Sequence, residues 1–400
     1  MTQTDRRVLI SAPGKVILFG EHAVVHKKLA VAASLGLRTY LHLEENETGQ
    51  CRLHLPDVDI DLTWPLSELS LNVDRKALDT DHPDNIPEEI KQQFESWMGV
   101  TTKENQRRAV LSFLYLFFVL KTDKPASFGF TISTRSTLPV GAGLGSSASF
   151  ASCISTALLV LFNHIPIGFT QSEKKESYLD TINRFAYKAE QVIHGNPSGL
   201  DNSVCVFGGA LSFRRGERFV PLEGFQSLQL LLTNTKVPRS TNALVAGVGA
   251  KKEKYPNVIN PILDSIDNIS LRCCEAFKSG SKEDLAQELE DLVDMNHCLL
   301  HALGVSHSSL EKVRVITEEF GVKTKLTGAG GGGCALSVIR DDVNVETTNL
   351  VAKKLAEEGY DCYRTLLGGT GVNAVVLGDD SLDQTWLLNA DRETLESHAI

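Results

Sequence analysis

The sequence predicts an α+β protein of two domains, on three observations. At 400 residues the chain is too long for one ordinary hydrophobic core. Helical and strand-like segments alternate along it without the regular spacing of βαβ units. The apolar pattern breaks around Glu223–Ser227 and restarts with a strand at Leu228, which divides the chain into residues 1–225 and 226–400.

The elements follow in order. Val8–Ser11 reads as a strand running into Ala12–His22, and Val31–Leu43 carries the β-branched and aromatic residues of further strands. Residues 57–84 are rich in acids, prolines and turn formers and read as a loop excursion with short elements. Gln106–Leu120 is helical and Phe128–Ser133 is a strand; the run Phe150–Phe162 is a helix behind a glycine-serine loop. Ser172–His194 places Tyr178, Leu179, Ile182, Phe185, Ala186, Ala189 and Ile193 on one helical stripe. A turn at 195–199 and a strand-like stretch, Val204–Phe213, close the first domain. The second opens with the strand Leu228–Thr233 and carries helices near Val258–Ser279 and Lys282–Leu303. A strand–loop–strand over Lys323–Ile339, a helix over Val345–Glu358 and a strand at Val372–Leu377 complete it.

Composition narrows the function. Hydrophobic residues make up 42% and charged residues 22%, the balance of a globular chain and not of a disordered one. A formal net charge of −10 argues against general affinity for nucleic acid or anionic membranes. The greasiest stretch, Ala109–Leu120, is too short to span a bilayer. Eight scattered cysteines without a recurring C-x-x-C read as reduced thiols. With no targeting segment at the start, the expected location is cytoplasmic.

The chemistry concentrates in four pieces. Pro139–Ser149 packs three glycines and two serines in front of an apolar helix. Glycines let a backbone approach a ligand closely, and a helix start aims free N–H groups and the positive end of its dipole at an anion. The loop is a phosphate site by that reasoning, or else a small-residue helix start packed on a sheet. It is neither a Walker A loop, since no lysine follows Gly145, nor a dinucleotide fingerprint, since Ser146 stands where a glycine is needed. Lys15, with Glu21 and His22, sits in a tight run among apolar neighbours, which suits a poorly solvated fixed charge. Glu190 lies at the margin of the helical stripe, where a carboxylate pairs with either a cation or a metal. Asp201 follows Pro197 and Gly199, as a turn former or as a catalytic carboxylate with a ligand close by.

A second glycine run, Thr327–Cys334, continues as a strand and reads as a loop passing close to a ligand or another backbone. Asn234–Thr241 adds Lys236, Arg239 and hydroxyls suited to an anion.

Three separated motifs, Ala12–Val25, Pro139–Ala148 and Lys325–Cys334, resemble the signature motifs of the GHMP small-molecule kinases. His194–Asp201 and Thr233–Arg239 place the likeness in the branch that acts on mevalonate. Galactokinases share Gly20-Glu21-His22 but carry arginine at Lys15 and an Asp-Tyr pair at Val24-Val25. The resemblance implies an N-terminal domain like ribosomal protein S5 domain 2 and a ferredoxin-like C-terminal domain. It implies ATP-dependent phosphorylation of the C5 hydroxyl of (R)-mevalonate in isoprenoid and sterol synthesis. Residue by residue, Gly141, Ala142, Gly143, Leu144, Gly145, Ser146 and Ser147 would wrap the ATP phosphates, with Ser136 also touching the nucleotide. Ser147 and Glu190 would hold Mg2+. Asp201 would take the hydroxyl proton, and Lys15, on the ATP side, would lower that hydroxyl's pKa or steady the transferring group. Glu21, His22 and Thr241 would orient mevalonate. A nucleotide-side asparagine of the family falls on Asp57 here. A homodimer and feedback binding of farnesyl or geranylgeranyl diphosphate are implied as well. The rival readings are another kinase of the superfamily, acting on phosphomevalonate or a sugar, and a non-catalytic sensor on the same fold.

Overall fold

The computed structural model describes residues 6–69, 78, 86–99, 103–122, 128–139, 141–195, 197–279, 282–378 and 382–399. Much of the expected 57–84 excursion lies outside them, as do Val140 of the glycine-serine stretch and Asn196 of the turn after it.

Alternating burial makes the first half a sheet. Strand β1 (Arg7–Phe19) is one continuous strand where the sequence suggested a short one, because it pairs along almost its whole length with β2 (Ala30–Asn46). Its register slips between Pro13 and Lys15, so the Pro-Gly step is absorbed as a bulge and does not end the strand. Lys15 therefore projects from a strand and not from a turn. β3 (Gln50–Leu55) and β4 (Ile60–Pro65) form a hairpin, and β3 runs parallel to β5 (Gly129–Ser136), which flanks β2. β4 is one of the short elements expected within the 57–84 excursion, with Ile60 and Trp64 turned inward.

Helices α1 (Glu88–Trp97), α2 (Glu104–Leu120), α3 (Ser146–Leu161) and α4 (Lys175–His194) lie over this sheet. Phe113, Phe117, Phe130, Ile154, Leu158 and Ile182 form the core between them. The stretch Val204–Phe213, read as a strand, is a helix and a strand. Gly199, at φ +80, opens α5 (Leu200–Phe207), and Gly208 and Gly209, at φ +73 and +61, end it before β6 (Ala210–Phe213). A glycine pair cuts the apolar run in two, and Asp201 sits in the first turn of a helix.

After β7 (Val220–Pro221), the second half builds its own antiparallel strands: β8 (Leu228–Asn234), β9 (Thr324–Leu326), β10 (Cys334–Ile339) and β11 (Asp361–Leu367). They carry α6 (Thr241–Lys254), α7 (Pro256–Ser279), α8 (Lys282–Ala302), α9 (Ser308–Glu318) and α10 (Val345–Glu357). The two halves are stitched, not merely adjacent. β11 meets β2 at Leu367 and Leu35, and β12 (Asn373–Val376) returns to pair with β1. Helices α11 (Gln384–Asn389) and α12 (Arg392–Ala399) close over Leu9 and Tyr40. The architecture is α+β, as the sequence indicated. No described helix is long and apolar enough to cross a membrane.

Candidate active site

The phosphate loop is held by what it buries. Leu138, Ala142 and Leu144 are buried beside Val16 and Leu18 of β1 and anchor the loop. The glycines between them, Gly141, Gly143 and Gly145, all have φ between +73 and +78. That alternation turns successive backbone N–H groups toward one concavity, which continues into the free amides at the start of α3.

Glycine is also required by proximity. A Cβ on Gly14 would lie 2.4 Å from Leu138 and 2.7 Å from the Leu144 carbonyl, and one on Gly145 would lie 2.7 Å from Cγ of Lys15. Strand and loop therefore touch, sealed by the Lys15 N–H donating to Leu144 O at 2.8 Å. Gly145→Ala is expected to cost about 1–3 kcal/mol through its left-handed backbone alone, and more once Lys15 is displaced. Thermal unfolding and the affinity for ATP should fall together; a variant with unchanged ATP affinity would separate the loop from Lys15.

Lys15 is 6% exposed, and its Nζ meets Asp201 Oδ2 at 3.1 Å. α5 is fixed for this meeting by Asn202, which donates to Asn183 Oδ1 of α4 at 2.7 Å. On α4, Glu190 is 4% exposed and so fully interior, not marginal as its stripe position implied. Ser147 Oγ donates to its Oε2 at 3.5 Å and lies 3.2 Å from His194 Nε2, while Glu190 Oε1 has no partner. Burial, reinforced by the nearby charge of Asp201, raises the Glu190 carboxyl to about 8. A buried carboxylate with an orphaned oxygen beside a serine hydroxyl is a site that wants a cation. The structure thus brings Lys15, Ser147, Glu190 and Asp201 together around one loop.

Ser136 stands at the end of β5, beside the glycine-serine loop. Its N–H donates to Asp57 Oδ2 at 2.8 Å, and both residues line a cavity of about 440 Å³ that reaches Ser146 and Ser147. Asn105, Arg108, Phe150 and Ile193 also line it and were not assigned a ligand role from sequence. They come from helix faces that carry no motif.

Glu21 and His22 occupy a second cluster. Glu21 is 1% exposed and forms an ion pair with Lys325, itself wholly buried, and Asn296 Nδ2 donates to its other oxygen at 3.1 Å. Burial raises the Glu21 carboxyl and lowers the Lys325 ammonium, each against the pull of the other. His22 stands at φ +60, its Nε2 bonded to Ala329 O at 2.8 Å and its buried Nδ1 unpartnered. Thr241 is exposed at the first position of α6 and makes no hydrogen bond to either residue. Lys325 and Asn296 were missed as functional neighbours because 304 and 275 residues separate them from Glu21.

The second glycine run passes close to other backbone, as its sequence suggested. Thr327 donates to Ile17 O at 2.9 Å, and Gly331 N–H donates to Val305 O at 2.8 Å. Arg239 lies between the two glycine loops, donating to Ala142 O at 2.9 Å and to Gly332 O at 3.1 Å. A Cβ on Gly143 or Gly333 would collide with its guanidinium. Nearby, His297, His301 and Glu311 converge in a way that could suggest a metal. Yet His297 Nδ1 accepts the Leu326 N–H at 3.1 Å, so its proton sits on Nε2, aimed at Glu311. The trio braces β9, the strand that carries Lys325.

The "GHMP kinases N terminal domain" family matches residues 110–209 and "GHMP kinases C terminal" matches 275–371. Mevalonate kinase of Mus musculus is 40% identical over 389 residues, spanning 93% of this chain and 97% of the mouse chain. Mevalonate kinase of Homo sapiens is 40% identical over 376 residues, spanning 92% and 94%. Among solved structures, L. major mevalonate kinase in complex with R-mevalonate superposes with a TM-score of 0.67 at 25% identity, covering 90% of this chain and 96% of that one. The Methanococcus jannaschii mevalonate kinase gives 0.66 at 26% identity, covering 90% and 98%. With that coverage and the phosphate loop, lysine, aspartate and buried glutamate converging as described, the chain belongs to the mevalonate kinase family of GHMP kinases.

Proposed function

We propose that the chain transfers the terminal phosphoryl group of ATP to the C5 hydroxyl of (R)-mevalonate, giving 5-phosphomevalonate and ADP for isoprenoid and sterol synthesis. The observation that carries this reading is the 3.1 Å contact of Lys15 with Asp201 at the mouth of the phosphate loop. The hydroxyl oxygen forms the new O–P bond as the bond from the γ-phosphorus to the bridging oxygen breaks. Its proton passes to Asp201, and the Lys15 ammonium faces the charge on the transferring group. Loop amides from Gly141 to Ser147 hold the phosphates in line, and Ser136 with Asp57 borders the nucleotide. His22 Nδ1 and the Glu21 cluster orient mevalonate, with Thr241 closing from α6.

The residues present fit Mg2+: Ser147 Oγ and the unpartnered oxygen of Glu190 would hold it. Such an ion neutralises charge on the β- and γ-phosphates. Glu190→Gln is expected to weaken binding of Mn2+ to the ATP complex by at least ~10-fold, one lost charged ligand being worth about 1.4 kcal/mol or more, and Ser147→Ala, which removes a neutral oxygen, to weaken it by a smaller factor. Paramagnetic resonance of free Mn2+ measures this without turnover, and an unchanged affinity would remove both residues from the metal site.

An ADP-release assay with and without (R)-mevalonate, phosphomevalonate and galactose tests the reaction. ADP release that depends on mevalonate supports it; release with another alcohol alone ends it. The same reading includes competitive inhibition by farnesyl or geranylgeranyl diphosphate, its head group on the loop amides and its tail along Ile193 and Phe150. Inhibition that rising ATP fails to relieve would refute this. A cytoplasmic homodimer belongs to the reading too, and sedimentation as a monomer at micromolar concentration would refute the dimer.

A further inference from the structure

We infer that the chain has a second ligand site, a cavity of about 330 Å³ that binds a small oxyanion, phosphate or carboxylate in chemistry. None of the phosphate loop, Lys15, Glu190 or Asp201 lines it. Its walls come from β2, β8, the end of β10, β11, the start of α10, the turn at 368–370 and helix α12.

Charge is the first argument. Arg38, Arg364 and Arg392 line the cavity against a single carboxylate, Glu396, which leaves a formal +2 in a chain of net −10. Arg38 is 2% exposed, and among the described residues no carboxylate lies within ion-pair distance of it. Its N–H groups go to neutral oxygens only: Ser11 Oγ at 3.1 Å, Ser11 O at 3.2 Å, Thr370 O at 2.9 Å and Gly371 O at 2.7 Å. A buried guanidinium without an opposite charge is costly, and a bound anion supplies the missing partner.

Shape is the second. Gly36 leaves the cavity open where a Cβ would meet Thr365 Oγ1 at 3.0 Å and Arg392 Nη2 at 3.4 Å. Thr348, Thr365 and Thr370 add hydroxyls to the lining, which holds no aromatic ring on which a base could stack. A planar fork, hydroxyls and no stacking surface select a compact anion over a nucleotide.

The site is connected to the catalytic helix. Gly209 N–H donates to Gly369 O at 2.8 Å, Val372 N–H to Val206 O at 3.1 Å, and Gly208 bridges to Thr370. The turn that Arg38 grips is therefore bonded to the end of α5, whose first turn carries Asp201.

Calorimetric titration of pyrophosphate into the full chain, with ATP present at saturation, tests the proposal. The expected result is one remaining site per chain, weakened at least ~10-fold by Arg364→Gln, the scale of one charge-assisted contact. Arg364 is exposed and outside the active site, so turnover without added anion should stay within about twofold. Loss of all binding once ATP is present, or equal binding to wild type and variant, would overturn the site. Parallel titrations with inorganic phosphate and with acetate separate a phosphoryl ligand from a carboxylate. Wild-type crystals soaked in selenate give a check that needs no variant. An anomalous peak between Arg38 and Arg364 is expected, and a peak at the phosphate loop alone would refute the proposal.

Discussion

Asp201→Asn is expected to lower kcat by at least ~10²-fold while leaving the affinity for ATP nearly unchanged, the scale of a lost general base. The asymmetry follows from position. Asp201 pairs with Lys15, whereas in the proposed reading the nucleotide is held by loop amides and by the cavity beside Ser136. An asparagine keeps the shape of the side chain and its hydrogen bond to the Lys15 ammonium, but cannot accept a proton at neutral pH. Steady-state turnover with a calorimetric measurement of ATP binding decides the matter. Near-normal kcat would leave Asp201 a positioning group only, and a parallel collapse of ATP affinity would show a damaged fold.

The second large effect is expected at Lys325→Met, a loss of stability of about 3–5 kcal/mol, the usual consequence of stranding one charge of a buried pair. Both members are fully buried, and the ammonium also lies 5.8 Å from the ring centroid of Phe19. With the lysine gone, the Glu21 carboxylate keeps the Asn296 amide and a backbone N–H as neutral donors but no opposite charge, in a buried place. It must protonate or drag the Gly20–His22 turn outward. Thermal unfolding should shift down sharply, and the KM for mevalonate should rise more than the KM for ATP. Adding Glu21→Met to Lys325→Met should recover much of the stability and none of the mevalonate affinity. Equal loss in the single and double variants would show that the pair's charges are not what matters there.

Much of this site could be read from the sequence, because its chemistry is spelled in short runs. Lys15, Gly145, Ser147 and Asp201 each lie within a few residues of the glycines or prolines that shape their backbone, so composition and conformation point the same way. Glu190 was legible as a carboxylate in need of a partner, but its full burial depends on α3 packing across α4 and is not encoded in its own stripe. The helix at Leu200–Phe207 was read as part of a strand because a short apolar run has no period to distinguish the two. α6 escaped notice because Val248 is its sole buried residue among those described, leaving almost no apolar face. Lys325 and Asn296 acquire their roles from contacts across 304 and 275 residues, which no local pattern announces.

Arg239 fills the gap between Gly143 and Gly333, so one side chain from the late half completes a loop built by the early half. During synthesis the N-terminal half leaves the ribosome first, and domains emerge and fold in that order. Its phosphate loop then waits for about 190 further residues, to position 333, before the arginine finds both of its acceptors. A loop built by the early half is thus finished by a late side chain, and the 97 and 93 residues that separate Arg239 from its two acceptors are closed only in the assembled fold.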